Sequence, residues 1–148
     1  MDIEIDQSGR IEVLTVDTAL GFSNKHQSAV LIPAVVKKQV SGRLFDRGVR
    51  PKLVSIRMFA AGLYLLLEDY LPHIGMLTID REFHGWEPEI RGLLLGHIRS
   101  RYARFPTEGI AFGEIGKASR AHEVAWQTYR GQRTAEKTIT TKQLLRIC

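Results

Sequence analysis

Cysteine is almost absent from this chain of 148 residues, and its single example, Cys148, is the last residue. One thiol excludes an internal disulfide framework and a cysteine-based zinc site, and it fits a reducing, cytoplasmic setting. Long apolar runs are also lacking, because Ser55 and Arg57 interrupt the most apolar stretch, Leu53 to Leu67. That stretch is too short for a comfortable membrane span. The acidic N-terminus lacks the pattern of a signal peptide, so we expect no membrane partner.

Several common catalytic and ligand-binding signatures are missing. The sequence has no G-x-x-x-x-G-K-[ST] phosphate loop and no G-x-S-x-G nucleophile turn. Its five histidines include no pair at positions i and i+4 and have no cysteine companions. Because structural and catalytic zinc sites depend on such groupings, the histidine spacing argues against zinc.

Acidic residues are outnumbered, with 16 against 21 basic residues and a net charge of +5. The segment from Lys37 to Arg57 contains seven basic residues and one acidic residue, Asp46, and a second basic excess runs from Gly116 to the end. Patches of this kind favour a polyanionic partner, and we expect a nucleic acid. The residues predicted to contact it are Lys37, Lys38, Arg43, Arg47 and Lys117.

The first part of the chain predicts three strands. Apolar and acidic residues alternate over 2–6, a second apolar segment covers 11–22, and a third covers 29–36. Pro33 indicates an edge or a bulge in the third strand. Residues 37–51 are basic and rich in turn-forming residues, so we predict a loop there.

The rest of the chain alternates between helices and strands. A helix from about Pro51 to Tyr70 is apolar on almost all sides, which is typical of a buried central helix. The next predicted elements are a strand over 74–80, a helix over 87–102, a strand over 110–115 and a helix from Ser119 to Gly131. The sequence does not indicate how the tail, 132–148, packs. The order β-β-β-α-β-α-β-α predicts one α/β domain over 1–148, with a mixed five-stranded sheet flanked by helices.

Carboxylates are concentrated around the end of the 74–80 strand, where Asp80 and Glu82 are followed by Glu87 and Glu89. A carboxylate at the end of a buried strand is costly to place, and such residues are often kept because they hold a metal or a substrate. Asp6 ends the first strand, and Asp17 is the alternative if the first strand is 11–17; we favour Asp6. Ordinary explanations stay open, because aspartate starts turns and acids stabilise helix N-termini.

The order of the elements and the placement of the acids resemble the ribonuclease H-like fold over residues 2–131. This superfamily includes ribonucleases H, integrases and Holliday-junction resolvases. An aspartate on its first strand lies next to an acid at the end of the fourth, and another acid sits near the last helix. Asp6 and Asp80 occupy the first two places, and Glu123, beside His122, occupies the third. The glutamate often found early in the central helix is missing here, and Glu82 or Glu87 could replace it.

The resemblance implies a divalent-metal-dependent nuclease or nucleic-acid-processing domain that cleaves phosphodiester bonds with Mg²⁺ or Mn²⁺. It implies catalytic roles for Asp6, Asp80, Glu82, Glu123 and His122. It implies metal ligation by Asp6, Asp80, Glu82, Glu87 and Glu123. One alternative is a catalytically inactive nucleic-acid-binding or protein-interaction module on the same fold, and another is an unrelated α+β domain with an acidic pocket. The choice of RNA, DNA or hybrid substrate and a homodimeric state stay open.

Overall fold

Six strands form one mixed sheet, in the order β5-β4-β1-β2-β3-β6. The computed structural model describes residues 1–148. Short 3₁₀ turns precede β4 and β5, at Leu71–His73 and Thr107–Gly109. The elements are β1 (Asp2–Ser8), β2 (Thr18–Ser23), β3 (Gln27–Ile32), α1 (Ala34–Asp46), α2 (Pro51–Leu67), β4 (Met76–Asp80), α3 (Glu87–Arg101), β5 (Ile110–Gly113), α4 (Arg120–Tyr129), β6 (Lys137–Thr138) and α5 (Thr141–Ile147). The predicted α/β class is confirmed, with six strands where five were predicted.

The strand directions bring the ends of β1 and β4 to the same edge of the sheet. β1, β2 and β3 form an antiparallel meander. β4 pairs with β1 in parallel, with Ile5 opposite Ile79, and β5 pairs with β4 in parallel. The next residue on each strand after this pair is an aspartate, Asp6 on β1 and Asp80 on β4. Because side chains alternate along a strand, both aspartates point to the same face of the sheet.

Two glycines show which helices cover the two faces of the sheet. A Cβ on Gly21 of β2 would lie 2.9 Å from the backbone nitrogen of Ala125, so α4 rests directly on that strand. A Cβ on Gly62 of α2 would lie 2.9 Å from the side chains of Leu20 and Ile32. Leu20 and Gly21 are neighbours on one strand, so α4 and α2 pack on opposite faces. α1 and α3 pack against α2 and complete its layer.

The prediction of a loop over 37–51 is wrong, because most of this segment is α1. Val36, Val40 and Leu44 are buried and stand four residues apart, so they form one apolar stripe along the helix. The helix starts directly after Pro33, which also ends β3 earlier than predicted. It ends before Gly48, whose φ of +82° is the left-handed conformation common just after a helix.

The prediction that β2 begins at residue 11 is also wrong, since residues 10–17 form turns and β2 starts at Thr18. Lys37 of α1 holds this segment in place. Its Nζ donates hydrogen bonds to the carbonyl oxygens of Arg10 (3.2 Å) and Val13 (2.7 Å) and to the hydroxyl of Thr18 (2.9 Å). The carbonyls that a strand would have used in a ladder are therefore bonded to a side chain.

The second half of the chain follows the predicted order, with shifts of a few residues at the ends of the elements. α2 ends at Leu67 rather than Tyr70, and β5 ends at Gly113 rather than Ile115. The last predicted helix starts at Ser119, which is the N-cap of α4, and its side chain accepts a hydrogen bond from the backbone N–H of Ala121.

The tail forms β6 and α5 and packs on the rest of the chain. β6 pairs with β3 in parallel, and α5 packs against α1. Ile139 and Leu144 belong to the same cluster of buried apolar residues as the central sheet and α2. The tail is therefore part of the common core. None of the helices combines the length and the apolar character needed to cross a membrane.

Candidate metal centre

Three carboxylates meet at the edge of the sheet where β1 and β4 end. Asp6 is the fifth residue of β1, Asp80 is the last residue of β4, and Glu82 follows two positions later. Each offers one carboxylate oxygen, and these oxygens all lie within 4.8 Å of one another. We call Asp6, Asp80 and Glu82 the acidic cluster. All three are among the residues predicted from the sequence.

Hydrogen bonds fix the orientation of the two aspartates. Asp6 Oδ1 accepts a 2.8 Å bond from its neighbour's backbone N–H, and Asp6 Oδ2 lies 2.8 Å from Nδ1 of His122 on α4. Asp80 Oδ1 accepts a 2.8 Å bond from the backbone N–H of Ile115, just beyond β5. Elements from four parts of the chain therefore converge on the acidic cluster, and His122 is the predicted catalytic residue that contacts it.

The electrostatics of the acidic cluster favour a bound cation or proton. Burial raises the pKa of Asp6, which is only 5% exposed, and the neighbouring charge of Asp80 adds to this, while the hydrogen bond to His122 opposes it. Burial, followed by the hydrogen bond and the charge of Asp80, raises the pKa of Glu82 to about 7. Ionisation of all three carboxylates at this separation is energetically unfavourable unless a positively charged partner is present.

Gln7, which sequence reasoning missed, lies beside the acidic cluster with an unsatisfied side chain. It is 8% exposed, and neither the oxygen nor the nitrogen of its carboxamide has a hydrogen-bond partner at normal geometry. It nevertheless lies close enough to Glu82 to lower the pKa of that carboxyl. The only sequence signal was its place in the alternation of β1, where a polar residue follows Ile3 and Ile5 on the face that packs against α2.

The donor set fits Mg²⁺ or Mn²⁺. These ions prefer hard oxygen ligands, and Mg²⁺ usually takes one or two protein carboxylates and keeps several waters. The acidic cluster supplies three carboxylates, and the unpaired amide of Gln7 could accept from or donate to a coordinated water. A single histidine with no cysteine does not make a zinc site.

The stability of the metal-free protein should fall as the pH rises from about 4.5 to about 7. The pKa of Glu82 is about 7 in the folded protein against an ordinary value of 4.5, so the folded state holds this proton more tightly than the unfolded chain. Its stabilising contribution is complete below pH 4.5 and is lost as Glu82 ionises. We expect the free energy of unfolding, measured with urea in EDTA, to drop by about 2–3 kcal/mol between pH 4.5 and pH 8.

The Glu82→Gln variant should lose most of this pH dependence, because glutamine does not titrate. Glu123→Gln is the matched control, since Glu123 is exposed on α4, and it should keep the wild-type slope. Equal slopes for wild type and Glu82→Gln would show that Glu82 does not titrate in this range.

The structure leaves two predicted metal ligands outside the acidic cluster. Glu87 starts α3, and its Oε1 lies 3.6 Å from the Arg81 guanidinium. Glu123 accepts a 3.0 Å hydrogen bond from the side chain of Gln127, one turn further along α4. Asp17, the alternative to Asp6, accepts a 2.8 Å bond from the backbone N–H of Ala34 at the start of α1. The geometry therefore selects Asp6 over Asp17 as the acid beside Asp80.

The predicted nucleic-acid contacts are divided between two places. Lys37 is completely buried and has no surface to offer a polyanion. Lys38, Arg43 and Arg47 are exposed, but α1 belongs to the helical layer opposite α4. Lys117 is exposed between β5 and α4, two residues after the amide that binds Asp80. Of the predicted basic contacts, Lys117 is therefore the one closest in sequence to a residue that bonds the acidic cluster.

Comparison with known proteins adds no relative to this description. No protein-family model, curated protein or solved structure matches the chain. The chemistry of the site is therefore argued from its own geometry.

Proposed function

We propose that this protein is a divalent-metal-dependent phosphodiester hydrolase or processing domain that acts on nucleic acid. The observation that carries the proposal is the convergence of three carboxylates within 4.8 Å at the ends of two paired parallel strands. Carboxylates brought together from separate elements are what a magnesium-dependent phosphoryl-transfer site needs. The net charge of +5 supports a polyanionic substrate.

The sheet supports placing the chain with the ribonuclease H-like proteins. Its strands β5-β4-β1-β2-β3 combine an antiparallel meander with two parallel strands reached through helices. The acids stand on β1 and at the end of β4, as the resemblance implies. α1, β6 and α5 are additions to the implied arrangement. These features support the fold proposal, and the metal chemistry is argued separately.

The acidic cluster is the part of the chain that would hold the metal. A bound Mg²⁺ or Mn²⁺ supplies charge neutralisation at the phosphate and a more acidic attacking water. The hydrogen bonds to Asp6 and Asp80 keep these carboxylates in position without rearrangement. Glu82 has a pKa near neutrality, so it can also hold or release a proton at working pH.

His122 is the candidate for proton transfer to or from the substrate. Its Nδ1 contacts Asp6, while its Nε2 makes no hydrogen bond within the protein, and the side chain is 30% exposed. A carboxylate on one ring nitrogen orients the ring and leaves the other nitrogen for exchange. Lys117 is the candidate for contacting the phosphate, because it is exposed beside the segment that binds Asp80.

The second candidate function is a catalytically inactive nucleic-acid-binding module. It is favoured by the absence of a fourth carboxylate, because Glu87 and Glu123 lie outside the acidic cluster and the early part of α2 carries no acid. The two functions differ in metal dependence. A binding module should hold nucleic acid equally well in EDTA and in Mn²⁺, and it should release no cleaved product.

Isothermal titration with Mn²⁺ tests the proposal directly. Wild-type protein should bind the ion saturably, and Asp80→Asn should weaken binding at least about 100-fold, because it removes an oxygen ligand and a negative charge. Glu123→Gln is the matched control and should bind like wild type, because Glu123 lies outside the acidic cluster.

Cleavage of labelled RNA, DNA and hybrid oligonucleotides then assigns the reaction. We expect metal-dependent cleavage of one of them by wild type and none by Asp80→Asn. Wild-type protein that binds Mn²⁺ neither alone nor together with an oligonucleotide would contradict the proposal. Retained cleavage by Asp80→Asn would contradict the assigned site.

A further inference from the structure

The face of α4 that carries His122 continues into two aromatic side chains, the exposed Trp126 and the half-buried Tyr129. His122, Trp126 and Tyr129 stand at positions i, i+4 and i+7 of the helix, so they lie on one side of it. His122 contacts Asp6 of the acidic cluster. Trp126, four residues or about 6 Å further along the axis, is 42% exposed. The indole therefore exposes a large apolar surface to water, and it lies next to the candidate metal centre.

Tyr129 packs on the turn after β1 and supports Trp126. A Cβ on Gly9 would lie 2.5 Å from Cε1 of Tyr129, so only a glycine lets the ring settle on the turn after β1. Gly9 has a φ of +75°, which also favours glycine at this position. The rings of Trp126 and Tyr129 have centroids 6.2 Å apart and planes inclined by 24°. The two rings are therefore stacked, and Tyr129 backs one face of the indole.

The charge around the two rings is suited to a phosphate backbone. The guanidinium of Arg130 lies 5.1 Å from the centroid of the Trp126 indole. Arg120 is exposed at the start of the same helix, and Lys117 is exposed just before it. Glu123 is the one acid on α4, and its carboxylate accepts a hydrogen bond from Gln127. Trp126 is also the only large apolar side chain exposed on α4, so the surface is not a contiguous apolar patch of the kind that docks proteins.

We infer that Trp126, Tyr129 and Arg130 form a platform that binds single-stranded nucleic acid by stacking on an unpaired base next to the phosphate held at the acidic cluster. Exposed aromatic rings accompanied by arginine are the usual means of binding single strands, because every base has a face that can stack. A paired base hides its faces within the duplex, so the platform selects single-stranded substrates. The position of the phosphate rests on the function proposed above, whereas the stacking does not.

Fluorescence polarisation with a fluorescein-labelled oligothymidylate 12-mer, in EDTA to prevent cleavage, tests the platform. Trp126→Leu should weaken binding by about 5- to 100-fold, the usual effect of removing one stacking ring, and Trp126→Phe should restore part of it. Tyr102→Leu is the matched control and should bind like wild type. Tyr102 is 40% exposed at the far end of α3, the end opposite the one that starts near β4.

A 12-base-pair duplex and a Mn²⁺ titration separate the possible outcomes. Wild type should bind the duplex more weakly than the single strand, and Trp126→Leu should not change duplex binding. Unchanged single-strand binding by Trp126→Leu would overturn the inference, and equal losses for both probes would show recognition of phosphates alone and overturn it too. Trp126→Leu should keep the Mn²⁺ affinity of wild type. If wild type bound no Mn²⁺ but single-strand binding still depended on Trp126, the platform would stand and the hydrolase proposal would fail.

Discussion

Asp6→Asn is expected to abolish metal-dependent cleavage while leaving the metal-free protein at least as stable as wild type. Asp6 is the most buried member of the acidic cluster and the one that contacts His122. Removal of one preorganised charged or polar group from an active site typically costs about 10²–10³-fold in rate, and loss of metal binding adds to this. We therefore expect a fall of at least about 10³-fold in the rate of cleavage.

The stability of Asp6→Asn separates a functional role for Asp6 from a structural one. Asparagine keeps an oxygen that can accept the backbone N–H of Gln7, so the local structure is retained. Burial and the charge of Asp80 raise the pKa of the Asp6 carboxyl, and the hydrogen bond to His122 only partly opposes this. The substitution therefore removes a source of repulsion from the metal-free protein once these carboxyls are ionised. A residue that maintained the fold would behave in the opposite way, because its loss would lower both activity and stability.

The measurement pairs an oligonucleotide cleavage assay with urea unfolding in EDTA at pH 7.5. Asp2→Asn is the control, because Asp2 is an exposed acid at the opposite end of the same strand, and it should match wild type in both assays. An Asp6→Asn protein that cleaves at the wild-type rate would remove Asp6 from the site. Strong destabilisation would make Asp6 a structural residue instead.

The sequence correctly predicted the elements whose hydrophobic pattern is simple and is not masked by charged or turn-forming residues. Period-two alternation identified β1, and α2, which is apolar on almost all sides, was recognised as a buried helix. α1 was missed, because its basic residues and glycines suggested a loop, although Val36, Val40 and Leu44 carried the helical spacing. The turns over 10–17 could not be foreseen, because Lys37, a residue far along the chain, satisfies their carbonyl groups.

The residues of the candidate site were likewise predictable only in part. Asp6 and Asp80 were predictable, because parallel pairing of two strands brings their ends together whatever the loops do. Which third acid joins them depends on the exact path of the chain after β4, and that path brings in Glu82 and sends Glu87 towards Arg81. Glu123 and His122 are neighbours on α4, yet the rotation of the helix turns only His122 towards Asp6. Helix rotation and loop path are set by packing, which a single sequence does not reveal.

Lys37→Met is expected to be the most destabilising single change outside the apolar core. Lys37 has none of its surface exposed, and its Nζ bonds two carbonyls and one hydroxyl that belong to residues 10–18. Burial lowers the pKa of Lys37 to about 8, so at pH 7 the amine keeps the three protons that its three acceptors need. Methionine fills a similar volume and donates nothing, so all three acceptors lose this bond, and the buried hydroxyl of Thr18 is left without a partner.

A hydrogen bond to a charged group contributes about 1.5–3 kcal/mol, so with three such bonds lost and the buried Thr18 hydroxyl unpaired we expect Lys37→Met to lose about 3–5 kcal/mol of stability in urea unfolding at pH 7. Lys38→Met is the matched control, because Lys38 is the next residue on α1 and is exposed, and it should change stability by less than about 0.5 kcal/mol. Equal stability of the two variants would show that the turns over 10–17 hold without Lys37. A loss confined to Lys37→Met would establish that this basic residue serves the fold, so that the positive charge available to a nucleic acid lies elsewhere on the surface.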